Sequence, residues 1–379
     1  MTKEETMENT AATELSKNVV DSVLKENTET VYMESGNIGF DMALSNGKGI
    51  PVGSSTLLWA DPGCGKSTAL ADVSRRLLKK HKDQGIPFKV LYLAVEGSRQ
   101  LMRDIGLAEY MDSQDFIYVE KPLCWRQIEQ FYDAVLGGKH KVYKDVKVII
   151  IDSVNNVLSD ANLNKSVADG DFGTKAKERG LFYSKYFPQC RGAGVTTFLI
   201  AQVRQNQDAG ANPYMDKRKA AVSWADRHNV DIIIKCSANT SSKDAKKVIT
   251  KTAFGENKDI LGWIFKMDSS GSSCKNRYFK GLAAEMYLSK GKGADNAYAI
   301  RKFLEFNGFI KASGGWLSFS KELCETFNIP EGNLRREVVM DIIRNNMGAF
   351  VEFLKNMGLY NLEPQIEATS EDTQDEADE

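Results

Sequence analysis

No run of apolar residues in this 379-residue chain approaches the roughly 18 that a membrane-crossing helix needs. The first residues, MTKEETMENTAATELSK, lack the basic start and apolar stretch of a secretory leader, so a soluble, cytoplasmic protein without a membrane partner is expected. Cysteine is sparse and dispersed. Cys64, Cys124, Cys190, Cys236, Cys274 and Cys324 form no CxxC pair, and His81, His140 and His228 are far apart, which argues for reduced thiols and against a structural zinc. Net charge is nearly absent too, at −1, but the balance is uneven. Residues 363–379 hold eight carboxylates and no Lys or Arg, leaving 50 cations against 43 carboxylates in the rest. A segment so acidic and poor in apolar residues is expected to be disordered, serving either solubility or as a mobile polyanion that competes for the body's basic surface.

What is present is a series of short apolar, β-rich runs at 55–60, 88–95, 146–151, 195–201 and 230–235, most of them separated by stretches with helical potential. Alternation of this kind implies an α/β fold with a mainly parallel sheet, helices on both faces and ligands at the C-terminal strand edge. Residues 1–35 read as an N-terminal arm with a helix at 10–25, residues 36–290 as the core, and residues 291–362 as a small α+β domain. The last contains a helix at 296–307, a hairpin at 309–319 turning at Ser313-Gly314-Gly315, and further helices.

Chemistry concentrates at Ala60-Asp61-Pro62-Gly63-Cys64-Gly65-Lys66-Ser67-Thr68, between a strand and a helix. Glycines let successive N–H groups turn toward phosphate oxygens, and the helix N-terminus adds partial positive charge. Lys66 is expected to reach the β- and γ-phosphates of ATP and Ser67 to ligate Mg2+. Asp152, closing the strand Val148-Ile149-Ile150-Ile151, is the second candidate for the metal. Glu96 and Gln202 also end strands, the first suited to activating water and the second to bonding a γ-phosphate.

In this order and spacing the elements resemble the RecA family of recombinases, including its phage members, over residues 36–319. The carriers are Phe40-Asp41-Met42-Ala43-Leu44 with Gly49-Ile50-Pro51-Val52-Gly53, Glu96 with Arg103-Asp104-Ile105-Gly106, the strand Phe198 to Arg204, and Gly293-Ala294-Asp295 through Gly314-Gly315-Trp316. The resemblance implies a RecA-like P-loop ATPase core and a DNA-dependent ATPase that forms helical filaments with itself on single-stranded DNA, pairs it with double-stranded DNA and exchanges strands. Residues 1–35 would then be an oligomerisation arm, and Lys275 and Arg277 would reach the γ-phosphate bound by a neighbouring subunit. Single-strand-binding and loader proteins are further candidate partners. Leu101 stands where the family has an aromatic on adenine, so base contact would rest on Leu101 or Met102.

Two long polar connections are the expected DNA contacts. In the first, the resemblance implies that Phe172 wedges between bases, the alternative being a ring tucked against the sheet, with Lys175 and Lys177 either on phosphates or on a solvated helix face. The second runs from Arg204 to Asp226 and carries Lys217, Arg218 and Lys219, with Gln207 where an apolar wedge is expected. Such phosphate contacts are indifferent to sequence. A RecA-fold helicase and a non-catalytic recombinase paralogue are the rival readings.

Overall fold

The computed structural model describes residues 30–97, 99–160, 174–205, 218–220, 224–242, 244–252, 255–271, 274–279 and 283–358. The anticipated helix at 10–25, Phe172, Gln207, Lys217 and the acidic residues 363–379 lie outside them. By compactness the chain divides into Met1–Val31 and Tyr32–Glu379, and the sheets and helices below belong to the second unit.

In chain order, β1 (Tyr32–Met33) and β2 (Ile50–Pro51) form a small antiparallel pair. The main sheet takes β3 (Ser55–Ala60), β4 (Lys89–Ala94), β5 (Phe116–Glu120), β6 (Val146–Asp152), β7 (Thr196–Gln205), β8 (Arg218–Ala220) and β9 (Ile232–Asn239), then β10 (Lys246–Thr252), β11 (Gly255–Asp268), β12 (Lys275–Asn276), β13 (Ala283–Ser289) and β14 (Gly293–Asp295). Its spatial order is β14-β13-β11-β9-β3-β7-β6-β4-β5. The stretch from β9 to β5 is parallel throughout. From β9 outward the pairing turns antiparallel, through β11 and β13 to β14.

The parallel strands are apolar at almost every position because both faces are covered. Alternate residues divide between two cores, Leu58, Ala60, Tyr92, Ile150 and Ile200 in one and Leu57, Trp59, Leu93, Ile151 and Leu199 in the other. Helices Ile38–Ser45 and Lys66–Asp83 supply Phe40, Leu44, Leu70 and Leu77 to the first. Helices Trp125–Leu136 and Thr174–Ala193 supply Trp125, Ile128, Phe182 and Tyr186 to the second. The antiparallel extension and β5 were not among the expected strands. In β13 the sequence Ala-Ala-Glu-Met-Tyr-Leu-Ser buries only Met286 and Leu288 fully, the half-covered pattern of an antiparallel strand.

A third core gathers Ile300, Leu304, Leu317, Leu323, Val339, Ile343, Phe350 and Leu354, joined by Ile38 and Ile264. Here helix Asn296–Phe306 starts at Asp295, whose carboxylate accepts from Ala297 N at 3.0 Å. Strands β15 (Ile310–Ser313) and β16 (Trp316–Phe319) form a hairpin whose register, Ser313 opposite Trp316, leaves Gly314-Gly315 as the turn, and β17 (Leu334–Arg335) pairs with β16. Where β14 meets helix Lys66–Asp83, the buried carboxylate of Asp72 holds Arg75 and Arg76. Gly293, at φ +79°, faces it so closely that a Cβ would lie 2.2 Å from Asp72 Oδ1, so the junction requires glycine there. Among the described residues no helix is long and apolar enough to cross a membrane.

Candidate functional site

Register brings the strand ends together. Ala60 pairs with Gln202 across β3 and β7, and Ala94 pairs with Asp152 across β4 and β6. Ala60, Glu96, Asp152 and Gln202 thus reach one edge of the sheet, where the 61–65 loop turns into helix Lys66–Asp83. Gly63 (φ +71°) and Gly65 (φ +114°) give the loop its curl.

Lys66 is buried, and its Nζ donates to the carbonyls of Ala60 and Asp61, each at 3.0 Å. An ammonium so placed is held by weak neutral acceptors that a phosphate can replace. Ser67 Oγ donates to Asp152 Oδ2 at 2.6 Å, and Tyr92 OH donates to the same oxygen at 2.7 Å. Burial raises the pKa of Asp152 against the opposing pull of the Ser67 and Tyr92 hydroxyls. Burial and that carboxylate push Tyr92 well above the ordinary phenol range.

Glu96 Oε1 accepts from three donors: Ser153 Oγ at 2.6 Å, Asn156 Nδ2 at 2.8 Å and Gln202 Nε2 at 2.6 Å. The backbone N–H of Gln202 donates to Asn155 Oδ1 at 2.7 Å, and Lys175 Nζ donates to the Asn155 carbonyl. Pro62, Gly63, Gly65, Lys66, Ser67 and Thr68 line a cavity of about 240 Å³ together with Glu96, Leu101, Asp152, Ile200, Gln202 and Trp263. Leu101 reaches this cavity, whereas Met102 is fully buried away from it. A larger cavity of about 580 Å³ lies elsewhere. Its guanidinium groups are already engaged, Arg301 and Arg336 with Asp244 and Arg344 with Asp295.

Lys275 and Arg277 sit apart from this cluster. Lys275 and Asn276 pair with Ile233 and Ile232 at the start of β9, the end of the parallel strands opposite the phosphate loop. Lys275 Nζ donates to the carbonyls of Arg227 (2.9 Å), His228 (3.4 Å) and Val230 (2.6 Å). Burial, with Arg277 beside it, lowers the Lys275 pKa. Arg277 pairs with Asp231 at 3.0 Å. Lys177 is exposed, and Arg204 pairs with Lys219, and Gln205 with Arg218, as β7 meets β8.

Tyr92, Ser153, Asn155, Asn156 and Trp263 belong to the site without having been singled out by sequence. The run Ser153-Val154-Asn155-Asn156 directly after Asp152 was a usable signal. For Trp263, 167 residues beyond Glu96 and on an antiparallel strand, sequence offered none.

Comparison with known proteins agrees with this geometry. Residues 45–208 match the model of the AAA domain family, a span that includes the phosphate loop, Glu96, Asp152 and Gln202. The DNA repair protein RadA of Chlamydia pneumoniae is 24% identical over 250 residues, covering 66% of this chain and 46% of that protein. RadA of Campylobacter jejuni is 24% identical over 243 residues, covering 63% and 46%. The chain therefore spans about half the length of the curated relatives it matches. The fold is that of a RecA-like P-loop ATPase core, the AAA domain match covers less than half of the chain, and the chain is distantly similar to the DNA repair protein RadA.

Proposed function

We propose that this protein is an ATP-dependent DNA strand-exchange protein that assembles as a filament on single-stranded DNA and uses hydrolysis to release it. The observation that carries the reading is the chain of contacts Glu96–Gln202–Asn155–Lys175. It runs from the water-activating candidate to the roots of both long connections, so nucleotide state and DNA contact would be read by the same residues.

Lys66 and the loop amides bind the phosphates, and Glu96 takes the proton of the water that attacks the γ-phosphorus as the bond to the β-γ bridging oxygen breaks. Mg2+ suits the Ser67 hydroxyl and the Asp152 carboxylate, both hard oxygen donors, and would neutralise phosphate charge there. Among the described residues no cluster of three or more His, Cys, Asp or Glu could hold a metal ion.

Residues 1–35 are proposed as an oligomerisation arm, residues 291–362 as a small C-terminal domain and residues 363–379 as an acidic tail. Phe172, Lys175, Lys177, Arg204, Lys217, Arg218 and Lys219 are the proposed DNA contacts. Lys275 and Arg277, remote from their own phosphate loop, are proposed to act on a neighbour's nucleotide. Electron microscopy with a non-hydrolysable ATP analogue and single-stranded DNA tests the reading, together with ATPase assays with and without DNA. Helical filaments and DNA-stimulated turnover are expected; closed rings would favour a RecA-fold motor, and unstimulated turnover would break the coupling.

A further inference from the structure

Trp263 stands on β11, in the antiparallel part of the sheet, yet its indole N–H donates to the Cys64 carbonyl at 2.8 Å. Its ring also lines the cavity that holds Lys66, Ser67 and Asp152. Cys64 lies between Gly63 and Gly65, both at positive φ. Glycines on either side of a residue tolerate both signs of φ, so the Cys64–Gly65 peptide has little intrinsic reason to keep one orientation. In a trans peptide the C=O and the following N–H point opposite ways. Holding the Cys64 oxygen against Trp263 therefore turns the Gly65 N–H away from the indole. A reversed peptide would present an oxygen where the loop needs a donor, and an oxygen repels phosphate.

We propose that Trp263 is a positioning residue of the nucleotide site, which locks the Cys64–Gly65 peptide so that the loop amides are arranged to receive phosphates. The inference rests on the ATP reading of that site. The two side chains approach the loop closely: a Cβ on Gly65 would fall 2.8 Å from Leu288 Cδ1 and 3.0 Å from Trp263 Nε1. Because β11 pairs with β9, β10 and β13, the same bond ties loop geometry to the antiparallel half of the sheet.

Trp263→Phe keeps a ring and removes the donor. Calorimetric binding of Mg·ATP and of inorganic tripolyphosphate, with steady-state ATPase, reads the consequence. Both affinities are expected to weaken about fivefold to tenfold, the worth of one hydrogen bond, with KM rising in step and kcat within about twofold. Unchanged binding of both probes overturns the proposal. Loss for ATP alone also overturns it and assigns the ring to the base. Wild-type protein that binds neither probe overturns the ATP reading instead.

Should the variant not fold, wild-type protein labelled with 5-fluorotryptophan is titrated with tripolyphosphate and followed by fluorine NMR. Among the described residues Trp263 is the tryptophan lining the cavity, so at least one of the five tryptophan resonances should shift; a spectrum in which none moves overturns the proposal.

Discussion

Asp152 and Asp231 are both buried carboxylates, at 5% and 1% exposure, at opposite ends of the parallel strands. Asp152 is met by two hydroxyls, Ser67 Oγ and Tyr92 OH. Asp231 is met by Arg191 at 2.6 Å and Arg277 at 3.0 Å, while its other oxygen takes the N–H and hydroxyl of Ser55. Neutral donors compensate a buried charge only in part, which is why burial still raises the pKa of Asp152. Two guanidinium groups leave Asp231 with little to gain from any further cation. The phosphate-loop end is thus built from contacts that a ligand can replace, and the opposite end from contacts that close on themselves.

The largest effects that could break this contrast are kinetic. Lys66→Ala is expected to lower ATP turnover by about 10² to 10³-fold or more with little change in melting temperature, since Lys66 gives up only two bonds to loop carbonyls. Glu96→Gln is expected to lower kcat by about 10² to 10⁴-fold while nucleotide binding, measured by calorimetry, persists. Normal turnover in that variant would move the base elsewhere. At the other end the signature should be thermodynamic. Asp231→Ala leaves two half-exposed guanidinium groups facing each other and the buried Ser55 donors unpaired, and should cost about 1–3 kcal/mol in denaturant unfolding. A loss below about 1 kcal/mol would mean that the cluster is solvated and the contrast is wrong.

What was legible in the sequence follows the same physics. The parallel strands were readable because burial on both faces makes each a continuous apolar run, and the loop because Gly-Lys-Ser follows one of them. Tyr92 was hidden for that very reason, as one more large residue in an apolar run. Strands β10 to β13 were not readable, since lysine, aspartate and glutamate interrupt their apolar residues, as Lys266 and Asp268 do in β11 and Glu285 does in β13. Trp263 reaches the loop only through that antiparallel pairing. Lys275 and Arg277 were picked out only through the family resemblance, and their acceptors at 227–231 lie over 40 residues away and become neighbours through the β9–β12 pairing.

Lys275 sharpens the comparison because it has an anchoring role and a proposed catalytic one. Its ammonium gathers three carbonyls at the end of helix Trp224–Asn229, where a cation also meets the helix dipole. Lys275→Met should therefore cost about 1–2 kcal/mol of stability. If it also acts on a neighbour's nucleotide, kcat on single-stranded DNA should fall by more than about a hundredfold. A lower melting temperature with unchanged kcat would leave the lysine as an anchor.

The one effect expected to stabilise concerns a carboxylate that blurs the contrast. Asp41, on helix Ile38–Ser45, is buried and met by the Ser35 N–H at 3.2 Å from each oxygen, yet it lines none of the phosphate-loop cavity. Its helix is tied to the anchoring end by Asn276 Nδ2, which donates to the Leu44 carbonyl at 2.9 Å. Burial raises its pKa from 3.8 to about 7. The native state then holds a proton that the unfolded chain has released between about pH 4 and 7, so this group's stabilisation is full below about pH 4 and is lost as pH rises through about 7. Asp41→Asn stays neutral across that range. Relative to wild type, the variant should therefore gain a few kcal/mol, about 1 to 3, between roughly pH 5 and 8 in urea unfolding. A wild-type-minus-variant difference that stays flat with pH would mean that Asp41 is ionised in the fold throughout. Weakly compensated buried carboxylates would then be confined to the phosphate-loop end, and the contrast would be sharper than the geometry alone makes it.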